Sequence, residues 1–117
     1  MGINSRAKGQ RGEREVAEMF RANGCPDARR AQQFQGVKGS ADLVGTGRWA
    51  VEVKHRERHD LFDAMEQAEQ SAGDGQTPVV FFRRNGSEWL VAMRAEDWFR
   101  AVGNRGSTDD RESTGVP

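Results

Sequence analysis

The first pattern along the chain is helical. Apolar Val16 and Phe20 recur on one face of residues 10–23, and charged residues occupy the other face. Gly24 then supplies a helix stop, and Pro26 prevents continuation. Residues 10–23 are therefore predicted to form an amphipathic helix that packs against a core.

Two further helices are predicted in the second half of the chain. Asp60 is a plausible N-cap for a helix over residues 60–72, and a shorter helix spans residues 95–102. Their apolar positions fall at helical spacing, which predicts that each buries one face. These positions are Leu61, Met65 and Ala68 in the first helix, and Trp98, Phe99 and Val102 in the second.

Five segments are predicted to form strands, the first of them a short or edge strand. They are Arg29–Phe34, Asp42–Val44, Trp49–Lys54, Thr77–Arg83 and Glu88–Met93. Thr77–Arg83 has the most continuous apolar character, which is typical of a buried central strand. Asn85-Gly86 is a strong hairpin turn signal before the last strand. The predicted order is α-β-β-β-α-β-β-α, an α/β fold in which helices flank a mixed sheet.

The second and third strands are predicted to form a hairpin that sets the position of two acids, Asp42 and Glu52. Side chains alternate along a strand, so Glu52 and Lys54 face away from Val51 and its apolar neighbours. A three-residue loop at 45–47 would pair Asp42 with Ala50, beside Glu52. A two-residue turn would place Asp42 opposite Val51, on the wrong face, unless a bulge intervenes.

Length and composition fit one modest domain. The chain has 117 residues, of which 35% are hydrophobic and 31% are charged, so a dimer would help stabilise it. We expect a flexible basic arm at residues 1–8, a folded domain at residues 9–102, and a disordered polar tail at residues 103–117. A single cysteine, Cys25, is typical of a protein in a reducing cytoplasm. We interpret Cys25 as part of a turn rather than as a catalytic nucleophile.

Charge is balanced overall but unevenly distributed. Residues 1–60 hold 12 basic and 8 acidic side chains, whereas residues 61–117 hold 6 and 10. Such asymmetry hints at nucleic-acid contact, although ordinary solvated surface would also produce it. We see neither an apolar run that would span a bilayer nor a signal-peptide pattern, so a cytoplasmic protein with no membrane partner is expected.

Asp42, Glu52 and Lys54 are the strongest candidates for chemistry. Two carboxylates on neighbouring strands can hold Mg²⁺, which keeps several waters and takes one or two protein carboxylates. Lys54 would orient the attacking water or neutralise a phosphoryl group. Glu13, on the inward face of the first helix, would support the site or, alternatively, be a first-turn acid favoured by the helix dipole. Together these residues predict phosphodiester hydrolysis. The alternative is that they are ordinary surface charges on a half-exposed sheet.

Other polar residues give weaker signals. Three basic side chains near the Asp42 loop are candidate DNA-phosphate contacts: Arg29, Arg30 and Lys38. Gln67 lies on a helix with an apolar stripe and either reaches the site or stays on the surface. His55 and His59 have zinc-motif spacing, but no third ligand is placed, so solvated or phosphate-facing histidines are favoured.

The residues Asp42…Glu52-Val-Lys54 resemble the PD-(D/E)xK nuclease signature, with Ala41-Asp42 in place of Pro-Asp. The start of the chain, Lys8 to Val16, resembles the first helix of archaeal Holliday-junction resolvases and their phage-type relatives. A glutamate on that helix joins the family's active site, and Glu13 occupies the matching position. The similarity covers roughly residues 6–102.

The resemblance implies a restriction-endonuclease-like core and a Mg²⁺-dependent homodimer that makes paired cuts in branched DNA, with Mn²⁺ as a possible substitute. It also implies that the Val53 backbone carbonyl is a metal ligand. The archaeal resolvases carry an active-site serine well upstream of the aspartate, but the nearest serine here is Ser40. Nicking, restriction or repair nucleases, and a non-catalytic DNA-binding module of the same fold, therefore stay open as alternatives.

Overall fold

The computed structural model describes residues 2–31 and 41–103, with side chains from residue 6 onward. Its elements are α1 (Gly2–Ala22), β1 (Arg29–Arg30), β2 (Leu43–Val44), β3 (Trp49–His55), α2 (Leu61–Ser71), β4 (Thr77–Arg83) and β5 (Leu90–Ala92). Residues 95–103 are also helical. The α/β order matches the prediction, and Asp60 caps α2 by accepting a hydrogen bond from the Asp63 amide.

The described strands form two sheets. The larger has the order β3-β4-β5, with β3 and β4 parallel and β4 and β5 antiparallel. Val51 pairs with Val79, and Phe81 pairs with Val91 across the predicted Asn85-Gly86 hairpin. The prediction that Thr77–Arg83 is central is confirmed. Because β3 and β4 are parallel, α2 serves as their crossover.

The two faces of this sheet hold separate apolar clusters. Alternation along the strands sends Val51, Val53 and Val79 to the α1 face and Val80 to the α2 face. The first cluster contains Val16, Ala17, Leu43, Val51, Val53 and Val79, and the second contains Ala64, Met65, Ala68 and Val80. Phe81, Phe82 and Trp89 pack against these clusters. The outer edge of β3 therefore lies between the layer of α1 and the layer of α2.

Two predictions about the ends of the fold are wrong. Helix α1 begins at Gly2 rather than near Gln10, so Gly2–Lys8 is part of this helix. The physical reason is that no proline interrupts residues 2–8, and extending a formed helix costs little. The apolar positions of the last helix are also not anchors, since Trp98, Phe99 and Val102 are 47%, 64% and 47% exposed.

The predicted β2–β3 ladder is also wrong. Strand β2 pairs with β1 instead, with Arg30 opposite Leu43. The link from this segment to β3 is a hydrogen bond from the Asp42 amide to the Val51 carbonyl, at 3.1 Å. The predicted pairing of Asp42 with Ala50 is therefore replaced by an offset backbone contact with Val51. Predicted strand 29–34 is described only to residue 31, and the rest lies outside the described residues.

The turn between β2 and β3 contains two glycines with positive φ. Gly45 has φ of 78° and Gly47 has φ of 66°. A side chain at Gly45 would overlap the Asp27 carbonyl oxygen, whereas a side chain at Gly47 would meet no atom within 4 Å. Gly45 is thus needed both for its conformation and for the close approach of the chain before β1.

We expect Gly45→Ala to destabilise the protein more than Gly47→Ala. Each alanine must adopt the left-handed conformation, which costs about 1–2 kcal/mol. Gly45→Ala must also shift backbone, so we expect a total of about 3 kcal/mol or more. Urea unfolding of both variants measures the difference. Equal losses would show that the contact with Asp27 does not restrict this position.

Within residues 2–31 and 41–103, no helix combines the length and apolar character needed to cross a bilayer.

Candidate active site

Asp42 and Glu52 meet at the outer edge of β3. The Val53 amide donates a hydrogen bond of 2.8 Å to the Asp42 Oδ2 atom. This contact turns the carboxylate toward β3, although the Asp42 backbone lies opposite Val51. Glu52 is 7% exposed and lines the same cleft of about 640 Å³. The structure thus brings the two acids together by a route other than the predicted hairpin.

The two carboxyl groups are held in an environment that disfavours their charge. Burial, and then the neighbouring Glu52, raise the pKa of Asp42 to about 7, against the opposing effect of the Val53 amide. Burial also raises the pKa of Glu52, and Lys54 opposes that shift. A half-buried and a buried carboxyl group held this close gain from a cation between them. Their electrostatics therefore fit a divalent metal.

The donor set also fits a hard cation. Val53 donates its N–H toward Asp42, and the N–H and C=O of one strand residue point to the same strand edge. The Val53 carbonyl therefore faces the side on which Asp42 lies. Asp42, Glu52 and this carbonyl supply oxygen atoms, which Mg²⁺ prefers. In the described ranges, no group of three His, Cys, Asp or Glu side chains is arranged around a common point.

Lys54 is held from two sides. Its Nζ atom lies 3.3 Å from Glu52 Oε2 and donates a hydrogen bond of 2.9 Å to Gln67 Oε1. The Gln67 amide nitrogen in turn donates to Asp63 Oδ2 at 2.9 Å. Lys54 is 13% exposed in its side chain. The chain from Asp63 through Gln67 to Lys54 anchors the ammonium group on α2.

Glu13 enters the site from α1, on the other side of the sheet edge. It lines the cleft and accepts a hydrogen bond of 2.8 Å from Arg30 Nε. Close packing of α1 makes this approach possible, because a side chain at Gly12 would press on His55 and Trp89 at 3.1 and 3.2 Å. Arg30, predicted as a phosphate contact, therefore lies against a site acid.

The remaining candidates are spread over the molecule. Arg29 is exposed, and its guanidinium donates to the Asp27 carbonyl. Lys38 and Ser40 lie outside the described residues. His55 is 8% exposed and packs edge-on against Trp89, so it is not solvated as predicted. Burial, then Arg83 and Lys8, lower the pKa of His55, which favours the neutral ring.

Asp63 belongs to the candidate site through its contact with Gln67, and the sequence analysis does not identify it. It lies four residues before Gln67 on α2, a spacing at which helix side chains meet. That spacing was a usable signal, but it becomes informative only once Gln67 is known to face Lys54.

Comparison with known proteins identifies the fold and the family of this chain. No curated protein sequence matches this chain. The structure of Archaeoglobus fulgidus Hjc, a Holliday junction resolvase from an archaeal hyperthermophile, is similar, with a TM-score of 0.55 and 28% sequence identity over 73% of this chain and 76% of that one. It confirms the predicted restriction-endonuclease-like fold. The model of the phage PDDEXK endonuclease family matches residues 4–111. This chain therefore belongs to the phage PDDEXK endonuclease family, and the predicted resemblance to PD-(D/E)xK nucleases is confirmed.

Proposed function

We propose that this protein is a divalent-metal-dependent DNA endonuclease that selects branched DNA, as a Holliday-junction resolvase does. The observation that supports it most directly is the meeting of Asp42, Glu52 and Lys54 in one cleft. Family membership supports the nuclease activity, and the similarity to a resolvase supports the choice of substrate.

The proposed roles follow from the contacts. Asp42, Glu52 and the Val53 carbonyl would hold Mg²⁺ or Mn²⁺, which supplies a Lewis acid and an activated water when bound. Lys54 orients the attacking water and neutralises the phosphoryl oxygens. Glu13 supports the site beside Arg30, whose positive charge limits repulsion among the acids.

In this mechanism Gln67 and Asp63 act through Lys54. A glutamine amide can present either its oxygen or its nitrogen, and only the oxygen accepts from an ammonium group. Asp63 accepts from the Gln67 nitrogen and so fixes the oxygen toward Lys54. Gln67, predicted as a DNA contact, is therefore proposed as a positioning residue for Lys54.

We expect Gln67→Leu to lower kcat by about 10- to 100-fold while KM changes little, because partners that orient active-site groups act on the reaction step. Gln67→Glu keeps an oxygen for Lys54 and should recover part of the loss. Gln70→Leu is the matched control, since Gln70 is exposed on the same helix. Steady-state kinetics measure kcat and KM separately. Equal effects of the two leucine variants would assign Gln67 to helix stability alone.

A substrate panel tests the proposed function. The wild-type protein is incubated with four-way junctions, flaps, nicked duplex and linear duplex, with and without Mg²⁺. Metal-dependent paired cuts in the junction support the proposal. Cutting of flaps or nicks in preference to junctions would identify a different nuclease, and binding without any cutting would identify a DNA-binding module.

A homodimer is also part of the proposal. Exposed apolar side chains that lie outside the clefts occur on β5 and on the helix at residues 95–103: Val91, Trp98, Phe99 and Val102. The Trp98 and Phe99 rings pack edge-on with centroids 4.9 Å apart. An apolar surface of this kind fits a second copy of the chain. Sedimentation at micromolar concentration measures the oligomeric state.

A further inference from the structure

A second cleft, of about 800 Å³, opens at the carboxyl end of β4. We call it the flanking cleft, and its lining includes Arg58, Phe82, Arg84, Ser87 and Leu90. Because β3 and β4 are parallel, their carboxyl ends meet at one edge, where the Arg56 amide donates to the Arg83 carbonyl. Glu57 and Arg58 line both this cleft and the active-site cleft, so the two are neighbours.

The flanking cleft has an excess of available positive charge. Arg58 and Arg84 are exposed, and neither forms an ion pair with another described residue. Arg83 is paired with Glu15 at 3.1 Å. The acid in the cleft, Glu57, accepts a hydrogen bond of 2.8 Å from the Asn85 amide and lies 3.5 Å from Lys8 Nζ. The Asn85 amide, then Lys8 and, more weakly, Arg84 lower the pKa of Glu57, so this acid only partly offsets the positive charge of the cleft.

Part of the lining of the flanking cleft is apolar. Phe82 packs edge-on against His59 with ring centroids 5.3 Å apart, and His59 Nε2 lies 3.0 Å from the Arg83 carbonyl. Leu61 and Leu90 add aliphatic surface. A lining that combines apolar, cationic and hydroxyl groups suits a nucleotide chain, whose sugars are weakly polar and whose phosphates are anionic.

We infer that the flanking cleft binds the sugar–phosphate backbone of the DNA arm that extends beyond the cut site. This inference rests on the proposed function, because it assigns the path of the same DNA on one side of the active site. Arg58, shared by the two clefts, contacts the arm first, and Arg84 contacts it further out. Such contacts set the position of the substrate and carry no sequence information.

The test is a salt titration of binding with Arg58→Ala/Arg84→Ala. DNA binding releases counterions, and each phosphate contact contributes about 0.9 to the slope of log affinity against log salt. We expect the double variant to lower that slope by about 1.8, so that its deficit in affinity for a long-armed junction shrinks about 12-fold between 0.05 and 0.2 M salt. Fluorescence anisotropy in Ca²⁺ provides the measurement.

The matched control is Arg14→Ala/Arg48→Ala, which removes the same charge from two exposed arginines that line neither cleft. It should keep the wild-type slope. A junction with arms too short to reach the flanking cleft should bind both double variants alike. Circular dichroism melts confirm that each variant is folded.

Two results would overturn the inference: an unchanged slope in Arg58→Ala/Arg84→Ala, or an equal slope loss in the control. Neither depends on cutting. If the wild-type protein cuts no member of the substrate panel, the proposed function fails, and the slopes still report whether the cleft binds DNA. If it cuts but the slopes are equal, only the flanking cleft is wrong.

Discussion

Asp42→Asn is expected to reduce DNA cleavage by at least about 10³-fold while leaving junction binding intact, because it removes charge from the site that would hold the cation. The asparagine keeps the shape of the side chain and can still accept a hydrogen bond from the Val53 amide. Single-turnover cleavage in Mg²⁺ measures the rate, and anisotropy in Ca²⁺ measures binding. Asp74→Asn, at an exposed loop position, is the matched control.

The same variant should be more stable than the wild-type protein at pH 8 without metal. The pKa of Asp42 is about 7 in the folded protein, above the ordinary value of 3.8. A raised carboxyl pKa means that folding favours the protonated form, so stability falls as pH rises from about 4 through 7. Asparagine resembles the protonated acid and removes this dependence. At about 1.4 kcal/mol for each pKa unit, we expect a gain of up to about 4 kcal/mol at pH 8.

Together the two measurements separate a functional site from a structural ion cluster. A variant that loses cleavage but gains stability would show that Asp42 serves the function of the protein and lowers the free energy of unfolding. Cleavage at the wild-type rate in Asp42→Asn would show that Asp42 is not needed, and the proposed metal site would then be wrong.

Metal affinity is the second large effect, and it should depend steeply on pH. A cation binds the ionised carboxylates, so binding must displace the protons that the raised pKa values retain. We expect Mn²⁺ affinity to fall about 10-fold for each pH unit below 7, and more steeply once Glu52 also protonates. Above pH 8 the affinity should become nearly constant.

Calorimetry in two buffers of different ionisation heat tests this coupling. At pH 6.5 the wild-type protein should release protons on binding Mn²⁺, whereas Asp42→Asn should release few and bind weakly. Mn²⁺ should also raise the melting temperature more at pH 8 than at pH 5.5. Equal affinity at pH 6 and pH 8 would contradict a site built on Asp42.

The sequence predicted the larger sheet well because its signals are local. The apolar run of Thr77–Arg83 and the Asn85-Gly86 turn specify a central strand and its antiparallel partner without knowledge of the rest of the chain. Strand β2 was assigned the wrong partner for the opposite reason. A two-residue strand has no periodicity of its own, so its pairing with β1 depends on tertiary contacts.

In the candidate site, too, the features set by local sequence were predictable and those set by tertiary contacts were not. Alternation along β3 predicted that Glu52 and Lys54 share a face, and Lys54 does reach α2. The contact between Asp42 and the Val53 amide was not predictable from the sequence. The Asp42 backbone lies opposite Val51, and only the side chain of Asp42 reaches the Val53 amide. The last helix illustrates a further limit: helical spacing identifies an apolar face of Trp98 and Phe99 but not whether a partner covers it.

The two halves of the site are supported by different layers of the molecule. The carboxylates of Asp42 and Glu52 are positioned by β3 and the turn before it. The ammonium group of Lys54 is positioned by α2 through Gln67. Transient melting of that single helix would release Lys54 and leave the carboxylates in place. In the proposed mechanism, such a state would still capture a cation but could not cut, and the stability of one eleven-residue helix would set how often it occurs.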